Sequence, residues 1–135
     1  MNFPGIRPGM TSRLSRMVSA ADTVGNHLPD DMEQLLSSPG LSSIMIEAAV
    51  GMIDAQLPDG FISVGKSAEV VHEHPTVVGS TVSVSVRVSG FDGYHITMEM
   101  EARDELGRCG HGRHVRSIVN RRWLELKIAR RLAQL

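Results

Sequence analysis

Four kinds of residue in this chain have a type and setting suited to chemistry. Glu47 is the only charged residue between Leu41 and Ile53, in a stretch otherwise built of Leu, Ile, Met, Ala, Val, Gly and Ser. A carboxylate buried there without a partner would cost roughly several kcal/mol. Desolvation would raise its proton affinity and suit it to acid–base work near neutral pH. His72 closes the apolar run of "SAEVVHEHP", just before Pro75 stops a strand. A histidine at that position serves either as a pocket residue or as an ordinary strand end in water. His72 and His74 are two apart, a spacing that also suits a metal ion. A third ligand would have to be recruited from Asp104 or His114, and no metal site is expected. In "GHGRHVRSIV", His114 and Arg116 share one face of a strand, while Arg113 takes the other. That pair suits an anionic or carbonyl-bearing group, with a solvated strand face as the plain alternative. Gly65, Gly110 and Gly112 allow the backbone to be approached closely within strands. Gly65 is the one that would offer its N–H to a ligand. "GHG" is too short for a phosphate loop.

The composition narrows the partners. A chain of 135 residues is read as one domain, 1–135. From Arg113 onward there are seven basic residues and one acidic, so a basic end follows an acidic body although the net charge is only −1. That suggests local binding of an anion rather than general affinity for nucleic acid. With only 4% aromatic residues, stacking on bases is not the expected mode of recognition. Cys109 is the only cysteine, which excludes an intrachain disulfide and a cysteine zinc cluster. The N-terminal stretch lacks the apolar core of a secretory signal, and no run of about 18 apolar residues is present to span a membrane. A soluble, cytoplasmic protein is the expectation.

These residues need elements to position them. Residues 1–11 are rich in Pro and Gly and read as an irregular arm. Residues 11–19 suggest a short strand, and 20–39 a long loop with a helical turn near "DDMEQLL". The stretch 40–60 has helix length, with Ser42 or Ser43 as cap and Pro58-Asp59-Gly60 as stop. Its apolar residues run most of the way round, which predicts a buried helix. Period-two patterns then predict strands at 61–71, 80–89, 94–104 and 109–119, with "FDGY" and "ELGR" as turns. "NRRWLELKIARRLAQL" reads as an amphipathic helix capped by Asn120, apolar at Leu124, Ile128, Leu132 and Leu135. The order β-α-β-β-β-β-α pairs one buried helix with one antiparallel meander. A single sheet buries a helix on most sides by curling around it. The expected class is therefore α+β, a hot-dog fold with an antiparallel sheet curled around one central helix and a C-terminal amphipathic helix. Its edge strand must be covered or paired, which predicts a homodimer, with a tetramer also compatible.

Together the motifs carry a resemblance. Gly65 lies seven residues before His72, and His72 seven before Gly79, which opens the alternating strand; Gly110, Gly112, His114 and Arg116 then form G-x-G-x-H-x-R. This set, with "RPGMTSRLSRMVSAADTV" at the start, resembles the fluoroacetyl-CoA thioesterase family of hot-dog proteins along nearly the whole chain. The resemblance implies hydrolysis of a small acyl-CoA thioester in a homodimer, with no cofactor. The family's catalytic Glu and His match Glu47 and His72. Its oxyanion-hole Gly matches Gly65, and a pocket Arg matches Arg116, with His114 beside it among the substrate-binding candidates. The family's Thr lies eight residues before the Glu, where this chain has Pro39. Ser38 precedes it, so either Ser38 takes the hydroxyl role or the position is lost, and fluoroacetyl-CoA is not the predicted substrate. Arg113, Arg121, Arg122 and Lys127 would be candidates for the CoA phosphates, although a solvated helix face is the more ordinary reading. Two alternatives remain: a hot-dog hydratase acting on an enoyl thioester, and a non-catalytic acyl-CoA binding or sensing module. A DNA-binding sensor is disfavoured because no helix-turn-helix precedes the domain.

Overall fold

The structure is a computed structural model that describes residues 2–32 and 34–135, so Met1 in the expected arm and Glu33 in the expected helical turn lie outside it. Strand β1 (Thr11–Met17) is followed by two short 3-10 turns, at Ala20–Thr23 and Asp30–Met32. Helix α1 (Ser38–Asp54) leads into strands β2 (Phe61–His72), β3 (Thr81–Phe91), β4 (His95–Asp104) and β5 (Gly107–Asn120), and helix α2 (Arg121–Ala133) ends the chain. The five strands form one antiparallel sheet in the order β1-β3-β4-β5-β2. Register shifts interrupt β2 at Lys66, β3 at Ser89 and β5 at Cys109, each left without a partner in the strand pairing. Such bulges bend strands and raise their twist, which lets the sheet wrap a helix. No helix among the described residues is long and apolar enough to cross a membrane.

Helix α1 starts earlier than its apolar pattern suggests, and its cap is Ser37 rather than Ser42 or Ser43. The Ser37 hydroxyl accepts the Gly40 N–H at 2.9 Å and donates to Val24 O at 2.7 Å. Ser37 N also donates to Asp22 O at 2.9 Å, so one buried serine both caps the helix and ties down the loop before it. Pro39 is tolerated in the first turn, where an N–H would have no helical partner.

The helix buries Leu41, Ile44, Met45, Ala48, Ala49, Met52 and Ile53 against the inner face of the sheet. Val82, Val84, Val86 and Val88 of β3 and Ile96, Met98, Met100 and Ala102 of β4 form the facing layer, as their alternation requires. The helix is not apolar all round, however. Ser43, Glu47 and Gly51 form an exposed stripe with Ile46 and Val50 half-buried beside it. The two glycines of the G-x-G motif have a packing role. A Cβ on Gly110 would come 2.8 Å from Leu41 Cδ2, and one on Gly112 would come 2.5 Å from Glu69 O of β2. The bare backbone of Gly110 admits Leu41 of α1, and that of Gly112 admits the β2 backbone alongside. The N-terminal arm is irregular, as expected, but it is not loose: Phe3 and Ile6 are core residues, and the Phe3 ring meets Phe61 edge-on at 5.2 Å. Helix α2 is capped by Asn120 but buries no side chain of its own in this chain.

Candidate active site

Ser38 stands at the first turn of α1 and His72 at the last residue of β2. Helix and strand run so that these two ends meet, with Ser38 Oγ 3.4 Å from His72 Nδ1. Burial pushes the His72 imidazole below its usual pKa, partly offset by the His74 backbone. The ring is therefore neutral at pH 7 and able to accept a proton. Its Nε2 is shielded from solvent and has no hydrogen-bond partner among the described residues. β2 ends at His72, so His74 no longer follows the strand alternation that would have paired the two rings on one face.

A second group lies further along β2. Gly65 pairs with Arg116 across the sheet. A side chain on Gly65 would touch Arg116 Nη1 and His114 Cε1, each 3.6 Å from its Cβ, so the bare glycine sits directly beside these two buried groups. Arg116 and His114 belong to one buried network. Arg116 donates from Nε to Ser63 Oγ at 2.7 Å, from Nη2 to Ser63 O at 2.8 Å and from Nη1 to His114 Nε2 at 3.1 Å. His114 Nδ1 donates to Ser67 O at 2.7 Å, which fixes the tautomer with Nε2 as acceptor. The Ser63 hydroxyl in turn donates a hydrogen bond to Asp54 Oδ1, so the guanidinium reaches a carboxylate through a serine. Burial, with the Arg116 charge as a smaller contribution, holds His114 below the usual imidazole value. Burial also lowers the Arg116 pKa, with Asp54 opposing.

Glu47 is not where its apolar surround led us to expect. Its side chain is 56% exposed, on the stripe of α1 that the sheet does not cover. Arg16 of β1 holds it, donating from Nη1 to Glu47 Oε2 at 2.7 Å and from Nη2 to Asp22 Oδ1 at 2.8 Å. Asp22 is buried and is anchored by the Ser19 N–H at 2.9 Å and the Ser19 hydroxyl at 3.2 Å. Burial raises the Asp22 carboxyl, but the Ser19 N–H, the Arg16 charge and the Ser19 hydroxyl outweigh it, and its pKa ends below the usual value.

The chain thus brings Ser38 to His72, and Gly65 to Arg116 and His114. Glu47 instead bonds toward β1, at the opposite edge of the sheet from β2. The basic residues considered for CoA phosphates are engaged elsewhere. Arg121 and Arg122 share Glu125, Arg113 faces Glu99 at 3.8 Å, and Lys127 lies 4.8 Å over the Trp123 ring. Sequence reasoning missed Arg16, Asp22, Ser63 and Asp54. Asp54 carried a signal, since it is seven residues after Glu47 on the same helix and hence on nearly the same face. Arg16 carried none, because its partner is 31 positions away.

A five-stranded antiparallel sheet with one helix along its inner face defines the hot-dog class. Solved structures agree. A hot-dog-like protein from Thermanaerovibrio acidaminovorans is 32% identical, covers 97% of each chain and superposes with a TM-score of 0.91. A thioesterase superfamily member from Thermus thermophilus is 23% identical over 96% of this chain and 94% of its own, with a TM-score of 0.84. A variant of the fluoroacetyl-CoA thioesterase, solved with acetyl-CoA, is 22% identical over 93% of this chain and 98% of its own, with a TM-score of 0.85. Among curated proteins, none matches the chain. The chain belongs to the fluoroacetyl-CoA-specific thioesterase family, which it matches over residues 18–122.

Proposed function

We propose that this protein is a homodimeric acyl-CoA thioesterase that hydrolyses a small acyl-CoA to the free acid and CoA. The observation that carries the reading is the Ser38 hydroxyl facing a neutral His72 at 3.4 Å, on the strand that seven residues earlier places Gly65 beside Arg116 and His114. The thioester carbonyl docks at the Gly65 N–H, which stabilises the developing oxyanion. Glu47 either takes a proton from water as the water adds to the carbonyl carbon, or adds itself to form an anhydride that water then cleaves. In both routes the C–S bond breaks and the thiolate of CoA leaves. His72 orients the Ser38 hydroxyl and exchanges the proton that the leaving thiolate needs. Arg116 and His114 line the acyl side.

Two exposures support dimerisation as part of this site. β2 is an edge strand whose residues 65–69 are exposed in succession, and the Ser43–Glu47–Gly51 stripe of α1 is equally bare. A second copy covering both would bring Glu47 of one protomer toward Gly65 of the other. The departure at Pro39, where the family places its threonine, argues for a small acyl group other than fluoroacetyl.

The test is thiol release from a panel of short acyl-CoAs. Glu47→Gln and His72→Ala are each expected to lower kcat by about 100-fold or more. Wild-type turnover in both variants would end the reading. Crotonyl-CoA hydrated with its thioester intact would instead favour the hydratase, and tight binding without thiol release the sensing module.

A further inference from the structure

We infer that Arg16 is a positioning residue for Glu47, and that it leaves Glu47 Oε1 as the reacting oxygen. This rests on the thioesterase reading above. Arg16 is a fork between two carboxylates: one guanidinium nitrogen holds Glu47 Oε2 at 2.7 Å and the other holds Asp22 Oδ1 at 2.8 Å. A planar fork with both arms occupied has little freedom left, and lysine cannot reproduce that geometry. The fork is itself anchored. Asp22 is 7% exposed, and its second oxygen is taken by the Ser19 N–H and hydroxyl. The Asp22 carbonyl accepts from Ser37 N, the cap of α1. The helix that carries Glu47 and the arginine that steers it are thus fastened to the same aspartate.

Without Arg16, Glu47 would be a flexible side chain on an exposed helix stripe, free to sample several rotamers. With Oε2 occupied, one oxygen remains to take a proton from water or to add to the carbonyl carbon. A carboxylate displaced by as little as 1 Å loses on the order of 100-fold in rate. The effect falls on kcat, because Arg16 does not touch the thioester in this arrangement.

Arg16→Lys and Arg16→Met are measured by thiol release beside wild type and Glu47→Gln. Both are expected to lower kcat by ~10- to 100-fold with KM within about twofold. Adding methylguanidine to Arg16→Ala restores part of kcat. Should Arg16→Met fail to fold because Asp22 is left without its cation, Arg16→Lys, which keeps a charge there, decides the matter. Wild-type kcat in folded Arg16→Lys and Arg16→Met alongside a dead Glu47→Gln overturns the positioning role. A rise in KM alone overturns it too, since it would make Arg16 a substrate contact. Absence of thiol release from the wild type sinks the thioesterase reading instead, and the two failures are separable.

Discussion

His72 and His114 tie this fold to pH. Both imidazoles are held below their ordinary value of 6.5, chiefly by burial. Below that value the unfolded chain takes up protons that the folded chain refuses, so the unfolded state binds more protons and stability falls as pH drops. The fall begins near 6.5 and continues toward the depressed folded values. Urea midpoints are therefore expected to be lower at about pH 5.5 than at about pH 7.5, and His114→Gln should shrink that difference. An unchanged midpoint would contradict the burial of two neutral rings. Arg116 makes a separate prediction. Arg116→Met removes the donors to Ser63 Oγ, Ser63 O and His114 Nε2, all within a buried network. Leaving those acceptors unsatisfied is expected to destabilise the fold by about 2–4 kcal/mol in denaturant titration. At this scale the sequence was partly legible. Sharing a strand face put His114 beside Arg116, and family spacing led to His72. The fork at Arg16 was not legible, because a contact between residues far apart in the chain leaves no periodic trace.

The elements owe their boundaries to small residues. Gly110 lies under Leu41, and an added Cβ would come 2.8 Å from Leu41 Cδ2 and 3.0 Å from Val71 O. Gly110→Ala should push α1 off the sheet and cost about 1–3 kcal/mol by thermal or chemical melting. A neutral result would mean that the helix has room to shift. Ser37→Ala removes the α1 cap together with a part-buried bond to Val24 O, for an expected loss of about 1–2 kcal/mol. Strands β3 and β4 were readable from alternation alone, because each has one face on the core and one outside it. The start of α1 was not readable, because the segment around Ser37 holds several serines, each able to cap. Only the position of the preceding loop chooses among them. The exposed stripe of α1 was hidden for a related reason: Ser43 and Gly51 are small and neutral, and they blur the polar side of a helix whose other sides are apolar.

At the scale of the molecule, two surfaces ask for company. β2 is an open edge, and α2 buries none of its side chains, with Trp123 and Ile128 each 50% exposed. A dimer is expected by light scattering at micromolar concentration. Ala68→Arg, placed on the exposed part of β2, should yield a monomer that no longer releases thiol from acyl-CoA. A fully active monomer would separate catalysis from assembly and remove the support for a shared site. The sequence by itself determined the strand alternation, the long helix and the roll of chemical groups, because periodicity and residue type are local and survive without a partner. Only the tertiary structure decided which groups meet. It set Ser38 against His72, laid Gly65 beside Arg116 and His114, and turned Glu47 outward to Arg16. Those outcomes depend on the register of the strands and on the face that α1 presents to the sheet, and both are settled by packing between segments distant in the chain.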